Sequence, residues 1–146
     1  MGYEDGRAGV TGKIGEEEAV HFLRNGGFFA SRPTGRDVGI DLIITHEKYR
    51  NFKATAQVKG RRQLKNPRWF QLSITPTQIK NAWERSEDLE SLWKNKILLV
   101  DFWIMVSIPC EEIWIFPSNK VLDIAQLNAT HRSTSFDICL TYCIKI

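Results

Sequence analysis

Two polar side chains stand in an otherwise largely apolar stretch, FKATAQVKG (residues 52–60), and they restrict what this part of the chain can form. Small and β-branched residues ahead of Gly60 predict a β-strand that ends there. Side chains two positions apart on a strand share a face, so Gln57 and Lys59 point the same way. Burying an amide and an ammonium without partners is costly, so this face either meets solvent or belongs to a cluster of polar groups.

The pattern around this strand predicts an α/β fold. The chain has 146 residues, 42% of them hydrophobic and 25% charged, and its length suits one domain, residues 1–146. Apolar periodicity and turn signals predict a helix at 14–27 and a second helix, opened by Pro76 behind Thr75 as N-cap, that runs to about residue 96. Strands are predicted in GFFASRP, at 39–45, 52–60 and 69–75, and in the later segments LLVDFWIMVSI, EEIWIFP and FDICLTYCIKI. This order predicts a central mixed β-sheet flanked by helices.

The longest apolar run, ILLVDFWIMVSI, is short and contains Asp101, which favours a buried strand over a membrane span. The first residues carry no apolar segment of the kind found in secretory signals. Three cysteines leave one thiol unpaired in any disulfide scheme, which favours a reducing compartment. We therefore expect a cytoplasmic protein without a membrane segment, associated with the nucleoid when bound to DNA.

Charge is distributed unevenly along the chain. Between Lys48 and Lys80 there are nine basic residues and no acidic residue, although the formal net charge of the whole chain is only +3. A segment of one sign attracts a polyanion, and nucleic acid is the usual one, whereas the alternative is a solvated basic loop. The candidate DNA contacts follow the strand at 52–60: Arg61, Arg62, Lys65, Arg68 and Trp69.

Two acidic residues can approach the polar face of that strand. Asp41 begins an apolar strand that is expected to form a hairpin with the strand at 52–60. Neighbouring strands lie about 4.8 Å apart, so Asp41 can meet Gln57 and Lys59 if the register allows. Glu16 lies on the apolar side of the first helix, where an acid requires a partner. These oxygens suit Mg²⁺, with Asp41 as the primary ligand and Gln57 and Glu16 as further ligands, and Mn²⁺ is expected to substitute. Lys59 would hold or help deprotonate the attacking water and offset charge on the phosphate, which points to phosphodiester hydrolysis.

The segments IGEEEAVHFLRNGGF, GIDLII and AQVKG resemble the signature of PD-(D/E)xK nucleases, a superfamily that includes many restriction enzymes, Holliday-junction resolvases and some homing endonucleases. The resemblance covers residues 14–60 and implies a restriction-endonuclease-like domain. It implies that Glu16 matches the helix acid, Asp41 the strand aspartate and Lys59 the lysine of the metal site. Gln57 stands where an acid is usual, which lowers the negative charge at the metal and gives Glu16 more weight.

The function predicted is a magnesium-dependent endonuclease that cuts double-stranded DNA by direct attack of metal-activated water, in a site-specific manner of the homing or restriction type. One alternative is a resolvase of branched DNA. Another is a catalytically weak DNA-binding module of the same fold, which the glutamine at position 57 favours. A chain of this length does not easily enclose a duplex and cut both strands from one site, so a homodimer or higher homo-oligomer is expected.

Overall fold

The computed structural model describes residues 2–33, 39–127 and 134–139. The predicted final strand continues beyond Cys139, and residues 140–146 lie outside the described part. None of the described helices is long and apolar enough to cross a membrane. The helices and strands follow in the order α1 (Gly2–Asn25), β1 (Phe28–Ser31), β2 (Leu42–His46), β3 (Lys53–Arg61), β4 (Trp69–Ser73), α2 (Pro76–Glu84), α3 (Leu89–Ile97), β5 (Phe102–Ser107), β6 (Glu112–Pro117), α4 (Ser118–Leu127) and β7 (Ser135–Cys139).

Five strands form a mixed sheet in the order β1-β2-β3-β5-β6, which confirms the predicted α/β architecture. Strands β2 and β3 form the expected antiparallel hairpin, with Leu42 opposite Ala56. Strands β3 and β5 are parallel. A parallel pair requires a crossover connection, and β4, α2 and α3 provide it. Strands β4 and β7 form a separate antiparallel pair.

The sheet separates two hydrophobic cores. On one face, α1 packs Ala19 and Leu23 over the alternating apolar side chains of β2, β3 and β5. On the other face, α3, α4 and the β4–β7 pair cover β5, with Trp93 and Trp103 almost fully buried. Strand β5 is therefore buried on both sides, which accounts for its uninterrupted apolar sequence.

Helix α1 approaches β3 so closely that backbone meets backbone. A Cβ atom at Gly15 would lie 3.3 Å from the Cα atom of Gly60, and a Cβ atom at Gly60 would lie 3.0 Å from the carbonyl oxygen of Thr11. A larger residue at either position would have to push the two backbones apart by a few tenths of an ångström. This close approach fixes the depth of α1 against the strand that carries Gln57 and Lys59.

Several element boundaries differ from those predicted, and three of the differences are larger or bear on the site. The single helix to residue 96 is wrong, because Ser86 adopts a left-handed backbone (φ 57°) and Asp88 caps a new helix by accepting a hydrogen bond from the Ser91 N–H at 2.7 Å. The predicted N-cap Thr75 is confirmed, with a capping box completed by Gln78. Helix α1 starts at Gly2, earlier than residue 14, and its residues Thr11 and Gly15 lie against Gly60 of β3. The second strand starts later than residue 39, so Asp41 lies just before β2.

Candidate active site

The polar face of β3 is the centre of the candidate site. Along this strand, Ala54, Ala56 and Val58 point into the core beneath α1, so Gln57, Lys59 and Arg61 point to the opposite side. The described residues contain two buried side-chain polar atoms without a hydrogen-bond partner, Gln57 Oε1 and Arg61 Nε. Both lie on this face, one on each side of Lys59. Buried polar atoms are almost always paired in proteins, so two orphan atoms in one row mark a place where water or a ligand can bind.

Asp41 is fixed beside β3 by two hydrogen bonds. Its backbone N–H donates to the Ala56 carbonyl at 2.9 Å, and its Oδ2 atom accepts from the Val58 N–H at 2.8 Å. The turn before it requires glycine, because Gly39 has a φ of +99° and a Cβ atom there would lie 2.7 Å from Leu99 Cδ2. The carboxylate is thus held rigidly at the edge of the hairpin.

Glu16 follows Gly15, so the close contact of α1 with β3 also positions its carboxylate. Its Oε1 atom forms an ion pair with Arg32 Nε at 3.2 Å. Burial raises the pKa of Glu16, the nearby Asp41 carboxylate raises it further, and Arg32 opposes both. Two carboxylates are therefore held close enough to repel each other, an arrangement that a bound cation would relieve.

Lys59 is the cationic member of the group. Burial lowers the pKa of Lys59, and the Asp41 carboxylate partly opposes that effect. Asp41 thus interacts electrostatically with both Glu16 and Lys59, so three of the four residues predicted for the site converge. Gln57 lies on the same strand face as Lys59, with its oxygen buried.

The donor atoms present fit a hard divalent cation. Within the described ranges no group of three His, Cys, Asp or Glu side chains could hold a metal ion. The oxygens available at the site are instead two carboxylates and the orphan amide oxygen of Gln57. Magnesium needs only one or two carboxylates and keeps several waters, so this set suits Mg²⁺ and does not suit zinc.

The predicted DNA-contacting residues divide into two groups. Lys59, Arg61 and Trp69 line one cleft of about 500 Å³, together with Thr11 of α1 and Gln71 of β4. The Trp69 side chain is 39% exposed there.

The other three residues lie away from that cleft. Arg62 and Lys65 are exposed on the loop that follows β3. Arg68 donates to Glu112 with its Nε atom at 2.8 Å, so it already has an anionic partner. Of the five predicted DNA contacts, only Arg61 and Trp69 line the cleft beside Lys59.

Two charged residues near the site were not predicted from the sequence. Arg32, the partner of Glu16, is an isolated arginine after β1 with no pattern to identify it. Lys96 on α3 lies close enough to Lys59 for their charges to interact. One signal for Lys96 was available, because it is next to the buried Ile97 and three residues after the buried Trp93.

No protein-family model and no curated protein sequence matches this chain. Among solved structures, the bacterial homing endonuclease I-Ssp6803I superposes with a TM-score of 0.51 at 15% sequence identity. The match covers 88% of this chain and 72% of that one. The likeness is one of fold.

Proposed function

We propose that this protein is a magnesium-dependent endonuclease that hydrolyses phosphodiester bonds of double-stranded DNA. The observation that carries the proposal is the row Gln57, Lys59 and Arg61, with two orphan buried polar atoms, beside two carboxylates that repel each other. Support for this interpretation comes from the fold shared with a homing endonuclease and from the basic segment that follows β3. The same likeness favours a site-specific enzyme of the homing or restriction type.

The chain's own groups have distinct roles in this proposal. Asp41, Glu16 and the amide oxygen of Gln57 would hold Mg²⁺, which when bound acts as a Lewis acid and lowers the pKa of a water molecule. Burial lowers the pKa of Lys59, so it releases a proton more readily than a surface lysine and can position the attacking water. As an ammonium it also balances charge that develops on the phosphate.

DNA would lie along the cleft between β3 and β4. Arg61 carries a buried, unpaired Nε atom there, and the half-exposed indole of Trp69 offers a flat surface to a sugar or base. Arg62 and Lys65 would neutralise phosphates farther along the duplex. To cut both strands the protein would act as a homodimer or higher homo-oligomer, with one site per strand. Light scattering after size exclusion, with and without duplex, should show more than a monomer.

A cytoplasmic location is part of the same proposal. The Cys110 thiol is free, and a free thiol persists in a reducing compartment.

A second candidate function is a DNA-binding module with little or no cleavage. The neutral Gln57 favours it, because the cluster then has only two carboxylates to attract a metal ion. Branched-DNA resolution is a third outcome of the same assay, since a four-way junction can replace the plasmid as substrate.

The deciding experiment compares the wild type with Asp41→Asn and Lys59→Ala on supercoiled plasmid and on genomic DNA, in Mg²⁺ and in EDTA. Lys53→Ala is the matched control, since Lys53 is an exposed lysine at the start of the same strand. We expect magnesium-dependent cleavage that falls about 1,000-fold in Asp41→Asn and Lys59→Ala and is unchanged in Lys53→Ala. Tight DNA binding by the wild type with no cleavage in Mg²⁺ or Mn²⁺ would establish the binding module instead.

A further inference from the structure

A second polar pocket lies beside the candidate site, on the same side of the sheet. It has a volume of about 270 Å³ and lies between the turn that precedes β2, strand β3, and helices α2 and α3. Its lining is rich in amides and includes one lysine: Gly39, Gln57, Gln78, Asn81, Asn95 and Lys96. Gln57 thus connects this pocket to the site, because it is on the row that carries Lys59.

Lys96 is the charged group that this pocket presents. Its Nζ atom donates to the Ser73 carbonyl at 2.5 Å and approaches Gln78 Oε1 at 3.4 Å. An ammonium has three N–H groups, and these two acceptors occupy at most two of them. At least one N–H is therefore left for a ligand in the pocket.

Among the residues that line the pocket, no acidic side chain is left to balance the positive charge of Lys96. Arg85 and Glu87 also line the pocket, but they form an ion pair with each other at 3.2 Å. Burial lowers the pKa of Lys96, and the positive charge of Lys59 lowers it further. Two lysines held near each other with a neutral glutamine beside both form a site for an anion.

We propose that Lys96 contacts a backbone phosphate of the bound DNA strand, next to the phosphate at Lys59. An acid at position 57 would lie in the same pocket and neutralise Lys96. With Gln57 there, the charge of Lys96 remains available to the nucleic acid. Compared with an acid, the neutral Gln57 provides one negative charge fewer for the metal ion but allows stronger binding of the DNA backbone.

The test is equilibrium binding of a fluorescein-labelled duplex in EDTA over a range of salt concentrations. Lys96→Gln removes the charge and keeps an N–H donor group on a side chain that is one bond shorter, and Lys96→Arg retains the charge. Lys94→Gln is the matched control, because Lys94 is exposed and lies two residues earlier on the same helix.

Lys96→Gln should bind about 10-fold more weakly, as expected for one lost charge-assisted hydrogen bond. Its slope of log K against log[salt] should be smaller by about 0.9. Lys96→Arg and Lys94→Gln should retain the wild-type slope. If Lys96 only holds β4 and α2 together, Lys96→Gln will lower the melting temperature and leave the slope at the wild-type value, which overturns the inference.

If Lys96→Gln does not fold, Gln57→Glu gives the same answer from the other side, since the new carboxylate should neutralise Lys96 and reduce the slope. An unchanged slope in that variant overturns the inference as well.

Because this inference rests on the proposed function, a cleavage assay is used to tell the failure of one from the failure of the other. A wild type that cuts plasmid while Lys96→Gln binds normally refutes only the role of Lys96. A wild type that never cuts, but whose salt slope depends on Lys96, refutes only the nuclease. A wild type that does not bind duplex at all refutes both.

Discussion

Strands β3 and β5 are parallel neighbours in the sheet, and the side chains of their paired residues differ in polarity on the face away from α1. Gln57 is paired with Trp103, and Lys59 with Met105. Toward α1 both strands are apolar. On the other face, Trp103 and Met105 are fully buried, and the Trp103 indole N–H donates to the Ile97 carbonyl at 3.0 Å. The same face of β3 instead carries an amide, an ammonium and a guanidinium.

The difference arises from how far the second layer extends. Helices α3 and α4 and the β4–β7 pair cover β5 and close a hydrophobic core over it. Over β3 that layer leaves two polar cavities, the cleft at Lys59 and the pocket at Lys96. On this face of the sheet, β5 therefore contributes to a hydrophobic core, whereas β3 borders two polar cavities.

The largest expected contrast is between the paired residues Trp103 and Gln57. Trp103→Ala should lower the free energy of unfolding by about 3–5 kcal/mol, because it empties a fully buried site. Gln57→Ala removes an amide whose oxygen has no partner, so its cost should stay within about 1 kcal/mol while cleavage falls. Urea unfolding of both variants measures this contrast, and equal losses of stability would show that β3 is as structural as β5.

A second contrast concerns the sign of the effect. Lys59→Met should increase the stability at pH 7 while abolishing cleavage, because burial lowers the pKa of Lys59 and so disfavours its charged form. Between its pKa in the folded protein and about 10.4 in the unfolded chain, the unfolded state binds more protons, so wild-type stability rises with pH. The advantage of the variant should be complete below the folded-state pKa and shrink as pH approaches 10.4.

Thermal unfolding of both proteins at pH 7 and pH 10 tests this expectation. The opposite change on β5, Met105→Lys, is the control and should be strongly destabilising, since Met105 is fully buried in the hydrophobic core. A lower melting temperature for Lys59→Met at pH 7 would mean that Lys59 contributes to folding.

The smallest expected effects lie on the loop after β3. Arg62→Gln should weaken DNA binding a few-fold and reduce the salt slope by about 0.9, since Arg62 is exposed and available to a phosphate. Arg68→Gln should change both less, because Arg68 is already paired with Glu112. Fluorescence anisotropy at several salt concentrations compares them. Equal losses would mean that Arg68 leaves Glu112 when DNA binds.

The parts of the structure that depend on local pattern could be predicted from the sequence. The hairpin of β2 and β3, the cap at Thr75 and the shared face of Gln57 and Lys59 follow from strand alternation and from the chemistry of single residues. The uninterrupted apolar run of β5 likewise predicted a buried strand.

The remainder depends on contacts between distant segments. The break at Ser86 could not be read from the sequence, because the stretch between the two helices contains no proline or glycine. Arg32 joins Glu16, and Lys96 joins Ser73, only after the layers have packed together. The sequence also did not show that Arg68 differs from Arg62 and Lys65, since its ion-pair partner Glu112 lies on the distant strand β6.

The contact of Gly15 with Gly60 has a practical consequence for anyone who builds with this protein. Glu16 is the next residue, so the position of its carboxylate is fixed by this contact with β3 and does not depend on where helix α1 begins. One inserted residue rotates the preceding part of a helix by about 100° relative to the rest. An insertion well before Thr11 would nevertheless leave the contact of Gly15 with Gly60 unchanged. Tags or partner proteins could thus be joined through a continuous helix at the amino-terminal end of α1 without rotating the acid out of place. An equal insertion between Gly15 and Asn25 would disturb every contact that follows.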